Sequence, residues 1–318
     1  MKYLTLESTD PYYNMSFDEF CLEQLPSDDS FFYLWRNRPA VIIGLNQNVY
    51  SEVNLRYLDE NGIALARRVT GGGAVYHDLQ NLNYTFIGRG MSPQTIADAL
   101  KTMGVEAILT GRNDIYVDGR KVSGYARRVW RDREMIHGTL MYDVDIEPLT
   151  RALDVDGSKL SAKGIASVRS RVGNLKESLP QYPTIESFRD ALHDILACGD
   201  SEYVLSEEQL SQVRRTAAEK FSSWEWIYGR SHEADLARCS KLPCGTVEAS
   251  ICLDRGKIAS VTFSGDFLGD LPPEGLGREL EGVRFTREDV SQRLSSIDVG
   301  SYFEGTSSEN LLDMIFNE

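Results

Sequence analysis

The chain's 318 residues, 42% of them hydrophobic, supply one large or two modest domains with a substantial core and exclude wholesale disorder. A formal net charge of −14 argues against a nucleic-acid partner, while leaving room for a small anion held by a few local cations. Apolar runs far shorter than a bilayer, an N-terminal segment with one basic residue and an early Glu7, and five scattered cysteines point to a cytoplasmic protein. No membrane span, secretory signal or disulfide framework is expected.

In chain order, Phe17, Phe20, Cys21 and Leu25 fall at helical spacing and predict a helix over 13–25, with Ser16 near its start and Pro26 beyond its end. Strands are predicted over 31–35 and 41–43, with Asn37 and Pro39 in the turn between them. A short strand over 63–68 precedes Gly71-Gly72-Gly73, and strands over 74–76 and 82–87 follow. Ser92 as N-cap and Pro93 at the first helical position open a helix that runs to about Met103 and stops at Gly104. Asp118-Gly119 between 115–117 and 120–124 marks a hairpin, and 137–144 alternates like a further strand. Helices are predicted over 184–197 and 206–221. Residues 240–245 read as a boundary; after it come a second hairpin, 246–253 and 257–264, and helices near 286–295 and 308–316. This hairpin-rich order predicts an α+β fold. A mixed, largely antiparallel sheet flanked by helices occupies 1–240, and a small α/β accessory domain occupies 246–318.

Three stretches carry chemistry. In Arg67-Arg68-Val69-Thr70-Gly71-Gly72-Gly73-Ala74-Val75-Tyr76-His77-Asp78, consecutive glycines allow positive φ and close backbone approach, and Arg68 can bind a phosphate or carboxylate. The spacing is neither that of a P-loop, since no Gly-Lys-Ser/Thr follows, nor that of a dinucleotide fingerprint, since no helix opens after the glycines. Gly111-Arg112-Asn113-Asp114 leads into the hairpin that carries Lys121, Ser123 and Gly124. A strand lysine there can neutralise charge that develops during adenylation, and Asp114 can hold Mg²⁺ carried by a nucleotide. Residues 159–175 form a basic stretch with small residues, suited to a mobile loop over a phosphate. Cys239 and Cys244 lack a second pair at metal-finger spacing, and no His-Glu-x-x-His occurs, so zinc chemistry is not expected.

Taken together, Arg68-x-Thr70-Gly71-Gly72-Gly73-Ala74-Val75-Tyr76-His77-Asp78, Asn81-x-Asn83, Gly111–Asp114, Lys121-Val122-Ser123-Gly124-x-Ala126 and His137-Gly138-Thr139-Leu140 resemble the signature of the lipoate–protein ligase A family. The block from Lys163 to Leu175, with Arg169, and Trp224-Glu225-Trp226 match further blocks. The resemblance implies a biotin-ligase-like catalytic domain. It implies ATP-dependent conversion of lipoic acid to lipoyl-adenylate, then transfer to a lysine of a lipoyl domain, as in E2 subunits of 2-oxoacid dehydrogenases, or of the glycine-cleavage H protein. By the same resemblance Lys121 contacts both the lipoate carboxylate and the α-phosphate. Arg68, Gly73, Ala74, Val75, Tyr76, Asn81, Asn83, Lys163 and Arg169 stand with Lys121 at nucleotide-binding positions. Thr70, Gly71, Gly72, His77, Ser123, Gly124, Ala126, His137 and Gly138 join Lys121 around lipoate. Asp114 lies near the Mg²⁺, and the block from Lys163 resembles a loop that closes over the adenylate. Gln80 stands where many members have Gly, so a positive φ there is in question; Thr70 replaces Ser but keeps the hydroxyl. An ATP-independent octanoyltransferase of the same superfamily, and a non-catalytic lipoate- or nucleotide-binding protein, are the rival readings.

Overall fold

The computed structural model describes residues 1–110, 113–153, 171–229, 236–254 and 256–316. In the first part of the chain the strands are β1 (Lys2–Tyr3), β2 (Phe31–Trp35), β3 (Ala40–Ile43), β4 (Ala64–Arg67), β5 (Val75–His77), β6 (Asn81–Gly88), β7 (Ala107–Thr110), β8 (Asp114–Val117), β9 (Arg120–Trp130) and β10 (Arg133–Met141). They form a seven-stranded sheet, β1-β2-β6-β10-β9-β8-β7, and a three-stranded sheet, β4-β3-β5. The large sheet is antiparallel except for the β1/β2 pair, and in the small one β3 runs parallel to β4 and antiparallel to β5. The predicted mixed, largely antiparallel α+β architecture is what the chain adopts.

Alternation along the strands assigns the two faces of the large sheet. Phe32, Leu34, Leu82, Tyr84 and Phe86 pack against Ile96 and Leu100 of helix α2 (Gln94–Thr102) and Phe188 and Leu192 of helix α4 (Ile185–Ala197). Between them Phe31, Tyr33, Trp35 and Ile87 face Met15, Phe17 and Phe20 of helix α1 (Pro11–Gln24), and Ile42 of the small sheet. Every residue of β2 and β6 is therefore buried, which is why Phe31–Trp35 reads as an unbroken apolar run rather than as an alternating one. Helix α3 (Ile146–Ala152) is local to the small sheet's flank, and helix α5 (Glu207–Thr216) packs on α1.

Local chemistry sets the element ends. Pro11 and the Asp10 cap, whose carboxylate accepts the Tyr12 N–H at 3.3 Å, start α1 two residues earlier than predicted. Capping boxes pair Thr184 with Ser187 and Ser206 with Gln209. Asp118 and Gly119 both take positive φ, 50° and 75°, as a two-residue Asp-Gly hairpin requires.

In the C-terminal part, β11 (Leu236–Leu242), β12 (Gly245–Asp254) and β13 (Lys257–Gly265) form one antiparallel sheet. It shares a core with helices α6 (Pro273–Leu280), α7 (Arg287–Leu294) and α8 (Ser308–Phe316), including Val247, Ile251, Phe263, Leu276, Val290 and Leu311. Residues 240–245, read from sequence as a boundary, are the end of β11 and its turn into β12. The first strand of this unit thus lies on the N-terminal side of the expected division, and we place the proposed division before Leu236. The two parts touch at the glycine turn: Gly72 N–H donates to Phe267 O at 3.1 Å and Gly265 N–H to Asn46 O at 2.8 Å. Among the described residues no helix is long and apolar enough to cross a membrane.

Arg67 shows how tightly the segment before the glycines is held. Fully buried, it donates to the carbonyls of Gly44, Leu45, Gln47, Trp226 and Ile227, and Trp226 Nε1 donates back to Arg67 O at 2.9 Å. This explains the Trp224-Glu225-Trp226 block as a buttress on β4. Arg67→Met removes all of these guanidinium donors, and chemical denaturation is expected to show a loss of about 3 kcal/mol.

Candidate functional site

Strand register builds a floor. Trp35, Asn83 and Thr139 lie abreast on β2, β6 and β10, and Tyr33, Thr85 and His137 form the next row on the same face. Trp35, Asn83, Thr139 and His137 of this floor, together with Met15 of α1 and Ile42, Ala74, Val75 and His77 around the small sheet, line a cavity of about 290 Å³. At one end stand Lys121 and Asp114, with Lys121 Nζ 2.6 Å from Asp114 Oδ1 and both side chains partly exposed. Gly124 leaves the lysine its room, since a Cβ there would lie 3.3 Å from both Lys121 Cε and Nζ.

The glycine turn is shaped from below by Arg68. Its Nε donates to Thr70 Oγ1 and Gly71 O, Nη1 to Ile42 O, and Nη2 to Gly71 O and Gly73 O. Burial lowers its pKa to about 10. Gly72 takes φ +88°, and a Cβ on Gly71 would meet Phe267 O at 2.5 Å, so the turn tolerates no side chain at either position. The Gly72 N–H is engaged by Phe267 O, so the turn does not offer all its amides to an anion as the bare sequence suggests.

Two buried polar chains support the cavity wall. Asp18 accepts from Tyr33 Oη at 2.6 Å and Thr85 Oγ1 at 3.0 Å, and its Oδ2 lies 2.7 Å from His137 Nδ1. His137 Nε2 lies 2.7 Å from Thr70 Oγ1, which itself accepts from Arg68, so the chain runs from α1 to the glycine turn. Burial, with Asp18 close by, pushes the Tyr33 phenol well above its ordinary range. In the second chain Asn14 Nδ2 donates to Asn37 Oδ1 at 2.8 Å, which turns the Asn37 amide toward His77 Nδ1, 3.1 Å away. Nδ1 is therefore an acceptor and Nε2 carries the ring proton. Burial, and then the charges of Arg68 and His137, lower the His77 pKa to about 3.

Of the residues singled out from sequence, Arg68, Gly73, Ala74, Val75, His77, Asn83, Asp114, Lys121, Gly124, Ala126, His137 and Gly138 line this cavity. Thr70 and Gly71 border a second groove, beside Trp130 and Phe267. Tyr76 packs in the core opposite Val41, Asn81 is buried and donates to Asn83 Oδ1, and Ser123 is buried in β9. Gly111, Arg112, Lys163 and Arg169 lie outside the described residues. Gln80 is not among the described non-glycine residues with positive φ, so the departure at that position costs no strain. Sequence reasoning missed Asp18, Asn37, Trp35, Met15 and Ile42, and also Asp266, which lines the cavity from the C-terminal part and accepts the Thr246 N–H.

Comparison with known proteins agrees with this geometry. Residues 10–197 match the family model of the lipoyl protein ligase A/B catalytic domain, and 231–315 match that of the bacterial lipoate protein ligase C-terminus. The chain is 37% identical to the lipoate-protein ligase LplJ of Bacillus subtilis, over 96% of this chain and 97% of the relative. It is similar in structure to P. falciparum LipL1 in complex with lipoate, with a TM-score of 0.77, 25% identity, and 99% of this chain and 98% of that one covered. A lipoate-protein ligase A bound with ATP gives a TM-score of 0.63 at 27% identity, covering 72% of this chain and 98% of its own. A bipartite lipoate protein ligase from Thermoplasma acidophilum, described with its E2 lipoyl domain, gives 0.66 at 27% identity, covering 74% and 98%. The chain belongs to the lipoate–protein ligase family.

The neutral His77 leaves a signature in stability. Its folded pKa is lowered from 6.5 to about 3, so between those values the unfolded chain binds the extra proton. This contribution is whole above pH 6.5 and is lost as pH falls through that window. Relative to His77→Gln, the wild type is expected to lose about 2 kcal/mol more between pH 7 and pH 5, read by urea unfolding of both proteins at the two pH values.

Proposed function

We propose that the chain, as a member of the lipoate–protein ligase family, activates lipoate with ATP and Mg²⁺ and transfers the lipoyl group to a lysine of an acceptor protein in the cytoplasm. The observation that carries this reading is one cavity bordered by a lysine ammonium, a strand carboxylate and the Gly73–Val75 backbone, with an apolar and aromatic interior behind them. The lipoate- and ATP-bound relatives support the two substrates, and the relative described with an E2 lipoyl domain supports acceptors of that kind. The glycine-cleavage H protein is a second acceptor class in the proposal.

The physical task is to bring two anions together. In the first step a lipoate carboxylate oxygen attacks the α-phosphorus of ATP; a C–O–P linkage forms, the bond to the β-phosphate oxygen breaks, and pyrophosphate leaves. Lys121 sits where its ammonium holds the carboxylate against the phosphorus and neutralises charge that grows in the transition state. The glycine turn, fixed by Arg68, gives the nucleotide close access to backbone. In the second step the acceptor's lysine amine attacks the activated carbonyl, an amide forms, AMP leaves and the amine's proton is released. That step asks mainly for positioning and exclusion of water.

Magnesium is bound through one or two carboxylates plus substrate phosphates rather than in an all-protein cage. Asp114 at the mouth fits the carboxylate role, and among the described residues no group of three His, Cys, Asp or Glu side chains stands ready as a cage. When bound, the ion supplies charge neutralisation at the phosphates.

Lipoate-dependent exchange of pyrophosphate into ATP tests the first step, and mass spectrometry of an E2 lipoyl domain after incubation with lipoate, ATP and Mg²⁺ tests the whole. Lys121→Ala, with unchanged circular dichroism, is expected to lower exchange by at least about 100-fold. Full exchange in that variant refutes the lysine's role. Acyl transfer that needs no ATP supports the octanoyltransferase reading instead, and tight ligand binding without any product supports the non-catalytic one.

A further inference from the structure

The cavity interior keeps two hydrogen-bond donors that nothing in the described protein satisfies. His77 is 3% and Asn83 1% exposed, both line the cavity, and neither His77 Nε2 nor Asn83 Nδ2 has a hydrogen-bond partner. Both are donors by their surroundings. Asn37, oriented by Asn14, makes His77 Nδ1 the acceptor and leaves the ring proton on Nε2. Asn81 Nδ2 donates to Asn83 Oδ1 at 2.8 Å, which leaves the Asn83 NH₂ for the cavity.

Their position relative to Lys121 gives them a role. Asn83 on β6 is abreast of Thr139 on β10, and β9, with Gly124 and the lysine ammonium beside it, is the next strand over. Two strand spacings put Asn83 about 10 Å from Gly124, beside which that ammonium lies. His77 stands beyond it, its ring centroid 6.0 Å from that of Trp35 on the strand past β6. An eight-carbon carboxylate in extended form reaches about 9 Å from its carboxyl carbon. With its head at the partly exposed lysine, its far end arrives between these two buried donors. A purely hydrocarbon end covers them and leaves both unmatched, which is unfavourable for a buried polar group. An end that carries sulfur lone pairs gives each N–H an acceptor, weak but correctly placed.

We propose that His77 Nε2–H and Asn83 Nδ2–H select the tail of the substrate, favouring an acyl chain that ends in a disulfide ring over an all-carbon chain of the same size and shape. The inference rests on the reading of this cavity as a lipoate site. It makes His77 and Asn83 specificity residues for the acyl end, not for the nucleotide.

The test compares lipoate with 5-cyclopentylpentanoate, in which carbon replaces both sulfurs of the ring. Isothermal titration of the full-length wild type is expected to give at least tenfold tighter binding of lipoate. In Asn83→Leu the ratio is expected to fall to within threefold, chiefly because the carbocycle gains, with circular dichroism unchanged. Equal affinities in the wild type, or an Asn83→Leu variant that keeps the wild-type ratio, overturn the inference. Should that variant fail to fold, the wild-type comparison decides by itself. A wild type that exchanges pyrophosphate with lipoate but does not distinguish the two acids sinks only this inference. A folded wild type that neither binds nor exchanges sinks the reading beneath it.

Discussion

The site depends on a buried arginine bonded to the backbone of a turn that has no side chains of its own. Three glycines in a row have no conformational preference strong enough to define a surface. Arg68 supplies the definition by drawing Gly71 O and Gly73 O onto one guanidinium. Thr70, on the same arginine, passes the constraint to His137 and so to Asp18 on α1. Loop, sheet and helix are thereby held in one register by hydrogen bonds in a dry interior, where each is costly to leave unmade. The Arg68 guanidinium is thus engaged by the protein's own carbonyls, and Lys121 is the other Lys or Arg among the described residues that line the cavity.

That arrangement also says which parts of the site were legible beforehand. Local chemistry was: the Asp-Gly hairpin, the glycine break and the strand that carries Lys121 all follow from neighbours in sequence, although the helix expected to start at Pro93 with Ser92 as its cap starts at Gln94 with no side-chain cap. Residues whose importance comes from distant partners were not. Asp18 looks like any acid on a helix, and only the fold sets it against His137, 119 positions away. Asn37 reads as a turn former, yet its amide decides the tautomer of His77. The 240–245 segment shows the opposite failure. Residues 240–245 were taken as a boundary; of these only Pro243 and Cys244 lie outside the strands, because a linker and a hairpin turn use the same kinds of residue. What separates them is whether the preceding strand finds a partner, and Leu236–Leu242 pairs with β12 along its whole length.

Family resemblance and geometry contribute different things. The resemblance groups Arg68 with the phosphate-binding residues, whereas the geometry gives that guanidinium a set of carbonyl partners inside the protein. The two are compatible when the arginine acts through the turn it shapes. In the proposed function, a phosphate laid against Gly73 to Val75 would meet a turn that Arg68 has already fixed, which lowers the ordering cost of binding there.

Charge balance completes the picture. In an acidic chain with net charge −14, the Lys121 ammonium is already paired with Asp114, so that pair carries no net charge to offer a substrate. Carboxylate and triphosphate together bring far more negative charge than one lysine can offset, and the penalty rises as water is excluded. In the proposed function a divalent cation held with the nucleotide would offset that excess. Asp114 would help to hold such an ion, and the Lys121 ammonium would then be available to a carboxylate. The Lys121–Asp114 pair holds the lysine in position at the mouth of the cavity, so any ligand that engages the ammonium must compete with that carboxylate.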